Sequence, residues 1–248
     1  SVGQKENYDP PLLICGTSTP DYDIPANASS IAKHLEVGST CFDVQSACSS
    51  FMSGMQVATS LIQSGFYSSA SLFNVERYST RLDYTDKRSC ILFGDGATCS
   101  IFETGENLNG FEILDICLES DGSGADSVKI PYGETFYQNG SAVQKFAITK
   151  TCYITNKIMD RNQLGPKDIQ YFIGHQANLR MLQSSVKKLN FSNEQHLYNV
   201  DLFGNQGGAG APSVLAQNWH KFKDGDMVIA TVVGSGLTWG SCLLKFHG

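Results

Sequence analysis

Basic residues are in the minority: 18 Lys and Arg stand against 24 Asp and Glu in 248 residues, a net charge of −6. That balance argues against a nucleic-acid or anionic-membrane surface, which needs a basic excess. No run approaches 18 uninterrupted apolar residues, and the N-terminal stretch SVGQKENYDPP is polar rather than signal-like, so no segment is expected to span or enter a membrane. The eight cysteines, Cys15, Cys41, Cys48, Cys90, Cys99, Cys117, Cys152 and Cys242, include no CxxC pair, and the five histidines are scattered. Closely spaced zinc ligands are therefore missing, and a disulfide framework belongs to shorter secreted chains. The thiols read as reduced residues of a cytoplasmic protein without a metal. Hydrophobic residues make up 41% and charged residues 17%, enough apolar content for a sizeable core.

Short β-branched or aromatic runs alternate with amphipathic stretches, for example PLLICG then ANASSIAKHL, and YFIG then ANLRMLQSSVKKL. The alternation predicts an α/β protein with buried sheets. A long-range repeat adds detail. Gly16 and Gly174 end matching strands 158 residues apart, and DVQSACSS…LFNV matches NVDLFGNQGG…IATVV with Cys48 and Asn205 157 residues apart. Two duplicated halves follow, at 1–103 and 104–248. In the second half roughly sixty residues, holding a strand (GFEILDICLES) and a helix (VQKFAITKTCYITNKIMDRN), precede YFIG, whereas ten residues precede PLLICG. The first half is accordingly expected to lack its opening strand and helix, to be completed by other residues or another polypeptide.

Three turns hold chemistry-bearing residues. Cys48 lies where the run Phe42-Asp43-Val44 breaks at small residues and an apolar helix begins. A thiolate at a helix N-terminus is stabilised, which predicts a pKa below the free value of about 8.5 and a reactive nucleophile; a small core residue at a strand-to-helix corner is the plain alternative. His175 ends a strand in GHQANLR, and Asn205 lies in the glycine-rich turn LFGNQGGAGAP, positions that structural residues also occupy. The Gly234-Ser235-Gly236 turn joins two strands and can bring backbone N–H groups close to a substrate, or be a tight hairpin only. Together a thiol can attack a carbonyl, imidazole and carboxamide can hydrogen-bond a second one, and two backbone N–H groups can form an oxyanion hole.

The strings TSTPDYDIP, DVQSACSSF, ILFGDGA, GHQANLR followed by KKL, FGNQGGAG and GSGLTWGSCLLKF, in this order and spacing, resemble the thiolase-fold condensing enzymes, most closely the β-ketoacyl-acyl-carrier-protein synthase III group. The resemblance implies a thiolase-like fold of duplicated βαβαβ halves in α-β-α-β-α layers. It implies that Cys48 is the acylated nucleophile of a Cys-His-Asn triad with His175 and Asn205, and that the backbone N–H groups of Cys48 and Ser235 form the oxyanion hole. Ile24 matches a residue that crosses a homodimer interface to line the partner's acyl pocket, and Asn178 a second asparagine near the site. The implied reaction takes an acyl group from coenzyme A or a carrier protein and condenses it with a malonyl-type thioester, with loss of carbon dioxide and no cofactor beyond the thioesters. Arg180, Lys187 and Lys188, at i, i+7 and i+8 of the helix after His175, fall where the family meets its acidic carrier protein; cations near a helix C-terminus also favour the dipole.

Some positions depart from the family. Gln206-Gly207-Gly208-Ala209-Gly210 replaces hydroxyl-bearing residues after the asparagine and predicts a looser helix start. Ser235 stands where glycine is usual, and a positive φ there would strain it. Val233 replaces a frequent phenylalanine beside the thiol and histidine, leaving room for a bulkier acyl group or acceptor. These departures keep open an acyl transfer to an oxygen or nitrogen acceptor without decarboxylation, and a supporting subunit of a heteromeric ketosynthase.

Overall fold

Runs of β-branched and apolar residues bounded by glycine or polar turns form the strands, and the longer amphipathic stretches form the helices. The computed structural model describes residues 9–105 and 109–248; the polar opening at 1–8 lies outside the described residues. In chain order the elements are β1 (Leu12–Gly16), α1 (Asn27–Leu35), β2 (Thr40–Asp43), α2 (Ser50–Gln63), β3 (Ser69–Glu76), β4 (Gly96–Glu103), β5 (Gly110–Ser120), β6 (Val128–Lys129), β7 (Tyr137–Gln138), α3 (Gly140–Arg161), β8 (Tyr171–Ile173), α4 (Leu179–Lys188), α5 (Val200–Phe203), α6 (Gly210–Gln217), β9 (Met227–Gly234) and β10 (Thr238–His247). Short 3-10 turns at Ala47–Ser49 and Gly207–Ala209 lead directly into α2 and α6.

The first sheet has the order β2-β1-β3-β4, with β1 parallel to β2 and β3 and with β4 antiparallel to β3. The second has the order β5-β10-β9-β8, with β8 parallel to β9 and with β10 antiparallel to both neighbours. A parallel bridge from His196 to Phe172 lies beside β8 as β2 lies beside β1. The repeat read in the sequence is thus a spatial one: β1, β3 and β4 recur as β8, β9 and β10. Among the described residues β4 pairs with β3 alone, while β10 is flanked by β9 and β5.

Side-chain alternation along the strands sets the layers. Leu12 and Ile14 of β1 join Met52 and Met55 of α2, Val214 and Leu215 of α6, and Val228, Ala230 and Val232 of β9 in one core. Leu13 and Cys15 point the other way, onto Ala28 and Ala32 of α1. On the far side Ile158 and Met159 of α3 and Val186 of α4 cover Phe172 and Ile229. The layers therefore run α1, first sheet, α2 with α6, second sheet, α3 with α4. That central helical layer brings the N-termini of α2 and α6 to the seam between the sheets.

Candidate active site

Cys48 occupies the 3-10 turn that opens α2, just after Ala47, whose φ is +49°. The turn is clasped by the second half. Ser49 Oγ donates to the Thr238 carbonyl at 2.8 Å. Gly234 comes so close that a Cβ there would lie 2.8 Å from both the Ser46 carbonyl and the Ser49 nitrogen. Only glycine permits this approach of β9 to the thiol's turn. Burial and the nearby Glu76 carboxylate push the Cys48 thiol up to about 12. This corrects the expectation of a lowered pKa: desolvation of the charged form dominates, and the resting site holds a thiol.

His175 follows β8, and burial pushes its imidazole down to about 4, so it is neutral at ordinary pH. Its buried Nδ1 has no hydrogen-bond partner among the described residues. Asn205 is fixed by the first half: its N–H donates to the Leu92 carbonyl at 2.7 Å and its carbonyl accepts from Gly94 N–H at 3.1 Å. The Asn205 Oδ1 accepts from Gly207 N–H at 2.9 Å, which leaves the amide NH2 as the end available to a ligand. The glycine run does not loosen this loop. Gly207 takes φ +54°, a Cβ there would lie 2.8 Å from Glu76 Oε1, and Gln206 Nε2 donates to the Asp95 carbonyl at 2.8 Å.

Cys48, His175, Asn205, Val233, Gly234 and Ser235 all line one cavity of about 600 Å³, as do Asn178 and Arg180. Ser235 does not carry a positive φ; Gly236 does, at +131°, so the strain expected at serine falls on its glycine neighbour. Gly236 itself is absent from the cavity wall. Asn178 Oδ1 caps α4 by accepting from Arg180 N–H at 2.9 Å and Met181 N–H at 3.4 Å. Lys187 and Lys188 end α4, exposed and away from the cavity wall, whereas Arg180 contributes to it. Ile24 is 86% exposed and also outside the wall.

Sequence reading missed a second set of wall residues. Tyr78 packs against Phe93 at 4.7 Å between ring centroids, and Phe93 against Phe136 at 4.5 Å. Ser18, also on the cavity wall, lies 2.8 Å from the Tyr78 hydroxyl, and Glu76, 2% exposed, lies next to Ser18. A carboxylate closing the strand SASLFNVE is the one signal that could have drawn attention to them, since buried Glu is rare without a partner.

Known proteins resemble this chain over most of its length. Residues 42–122 match the family model for 3-oxoacyl-[acyl-carrier-protein (ACP)] synthase III, and residues 159–246 match the model for its C-terminal part. The chain is 34% identical over 250 residues to a beta-ketoacyl-[acyl-carrier-protein] synthase III of Porphyromonas gingivalis, covering 94% of this chain and 74% of that one. It superposes on the solved 3-oxoacyl-(acyl carrier protein) synthase III of Pseudomonas aeruginosa with a TM-score of 0.91 at 31% identity, over 97% of this chain and 78% of the other. The corresponding enzyme of Aquifex aeolicus gives a TM-score of 0.91 at 28% identity, over 96% and 77%.

Proposed function

The chain belongs to the 3-oxoacyl-[acyl-carrier-protein] synthase III family of condensing acyltransferases, and from that premise we propose that it loads an acyl group from a coenzyme A or carrier-protein thioester onto Cys48 and condenses it with a malonyl-type thioester. The observation that carries this reading is the convergence of Cys48, His175, Asn205 and Ser235 on one cavity at the seam of the two sheets. Cys48 Sγ attacks the acyl carbonyl carbon; the oxyanion is held by the backbone N–H groups of Cys48 and Ser235, and the donor's carbon–sulfur bond breaks. The malonyl-type thioester then loses carbon dioxide while neutral His175 and the Asn205 amide donate hydrogen bonds to its enolate oxygen. A histidine at about 4 stays an uncharged donor throughout the neutral range. The carbanion attacks the acyl-cysteine carbonyl, the acyl carbon–sulfur bond breaks to give the β-ketoacyl product, and the released Cys48 thiolate takes up a proton from water. No group beyond the thioesters is needed for these steps.

Arg180 at the cavity wall, with Lys187 and Lys188 further along α4, supports docking of an acidic carrier protein there. An exposed Ile24 fits a homodimer in which it lines the partner protomer's pocket. Incubation with a panel of acyl-CoA thioesters, read by intact mass, is expected to add one acyl group to the wild-type chain and none to Cys48→Ala. Addition of malonyl thioester then releases carbon dioxide. An acyl adduct that forms but never drives decarboxylation would point instead to transfer onto an oxygen or nitrogen acceptor, and no adduct with any donor would overturn the reading.

A further inference from the structure

The only side-chain hydrogen-bond partner of Cys48 Sγ among the described residues is the Tyr78 hydroxyl, at 3.9 Å, within the longer reach of sulfur. Tyr78 Oη lies 2.8 Å from Ser18 Oγ. Ser18 Oγ in turn lies 2.9 and 2.8 Å from the two Glu76 carboxylate oxygens. Counting protons fixes the direction of this chain. An ionised carboxylate only accepts, so Ser18 spends its single proton on Glu76; Tyr78 must then donate to Ser18, and its oxygen is left to accept from the Cys48 thiol. We propose that Tyr78 and Ser18 relay the Cys48 proton to Glu76, making that carboxylate the base for acylation; the inference deepens the reading of the same site and rests on it.

The proton balance closes. As the Cys48 S–H bond breaks, Tyr78 Oη takes that proton and passes its own to Ser18, which passes its own to Glu76. The thiolate's electron pair forms the bond to the acyl carbon, the donor's carbon–sulfur bond breaks, and the leaving thiolate is protonated by the relay run backward, returning Glu76 to the carboxylate. Glu76 is built for reversible loading. It has no cationic partner among the described residues and is steadied by Ser18 N–H at 3.1 Å, Thr19 Oγ1 at 3.1 Å and Gly208 N–H at 3.4 Å. Burial raises it to about 7, so it exchanges its proton at neutral pH. The titratable groups interacting with it are Cys48, Tyr78 and Cys15. His175, Arg88, Lys129 and Arg180 are the other titratable side chains on the cavity wall, Arg88 paired with Asp86 and Lys129 with Asp126. No hydrogen bond joins His175 to Cys48, which leaves Tyr78 as the thiol's exit.

Tyr78→Phe keeps the ring against Phe93 and removes only the hydroxyl. The test follows iodoacetamide alkylation of Cys48 from pH 5 to 10, resolved from the other seven cysteines by peptide mass, alongside single-turnover acylation from a short acyl-CoA. Wild-type alkylation should rise with an inflection near pH 7. Tyr78→Phe and Ser18→Ala should each slow both reactions about tenfold or more at pH 7, the worth of a hydrogen bond to a charged group. Glu76→Gln should lose the neutral inflection and react only as the pH turns alkaline. Tyr78→Phe at the wild-type rate, or Glu76→Gln with the inflection intact, overturns the relay. If Glu76→Gln fails to fold, Tyr78→Phe and Ser18→Ala decide. Absence of any acyl adduct in the wild type overturns the proposed reaction, while the alkylation profiles still judge the relay.

Discussion

Val233 shares the cavity wall with His175 and Cys48, and a further void of about 20 Å³ lies beyond it, bounded by Val233, His175 and Met181. A phenylalanine at this position has that small void to enter but must also push into the main cavity, where the acyl group would sit. Overpacking of this kind costs about 1–3 kcal/mol of stability, tolerable for a chain with so extensive a core. Val233→Phe is therefore expected to fold and to shift acyl preference toward shorter chains, measured by offering a mixture of acyl-CoA thioesters and reading the distribution of adducts on Cys48 by mass. An unchanged distribution would remove Val233 from the determinants of chain length. Cys48 and His175 were legible because each sits at a strand-to-helix turn marked by small residues, and Asn205 because it lies in the glycine-rich turn between α5 and α6. The thiol's pKa was not, because the helix N-terminus is local in sequence whereas the desolvation and the Glu76 carboxylate that oppose it come from the fold.

At the scale of the element, α4 depends on its first turn. Asn178 closes two of its orphan N–H groups with one oxygen, and Lys187 and Lys188 favour its other end. Asn178→Ala is expected to cost about 1 kcal/mol, a fall of about 2–4 °C in melting temperature for a chain of this size, and Asn178→Ser to recover most of it. Thermal unfolding followed by circular dichroism checks this; an equal loss in both variants would mean that the cap is not what Asn178 contributes. Most elements could be read from the chain. PLLICG, GFEILDICLES and VIATVVG are strands, and the long amphipathic stretch after residue 140 is α3. The strand β4 carries no such signal, because GATCSIFE mixes small and apolar residues without a clean period, and the two-residue strands β6 and β7 are too short to carry any. The Tyr78–Ser18–Glu76 chain escaped for another reason: Ser18 follows β1 and is 58 residues from Glu76, and only the parallel pairing of β1 with β3 brings them together.

Across the whole molecule, the same burial that tunes the site makes stability depend on pH. His175 and His196 are both pushed down to about 4 from the ordinary 6.5. Between those values the unfolded chain binds protons that the native state refuses, so stability falls as pH drops, by up to about 1.4 kcal/mol per pH unit for each histidine. Glu76 works in the opposite sense. Its native value of about 7 exceeds the ordinary 4.5, so between those values the native state holds an extra proton and stability is lost as pH rises. Two histidines outweigh one glutamate, which leaves a net loss toward acid of about one proton's slope. On the alkaline side Cys15, Cys48 and Cys242 are raised to about 12 and Cys99 to about 11, from 9.0. Above about pH 9 the unfolded chain releases protons that these native thiols keep, and stability falls with a slope several times steeper. Urea unfolding at a series of pH values under reducing conditions should thus show a maximum between about 6.5 and 9, a shallow acid limb and a steep alkaline one. Glu76→Gln should steepen the acid limb by about one proton, because it removes the only opposing group of the three. An acid limb left unchanged by that substitution would mean that Glu76 gives up its proton in the native state as readily as in the unfolded chain, and the carboxylate at the end of β3 would then be an ordinary ionised acceptor.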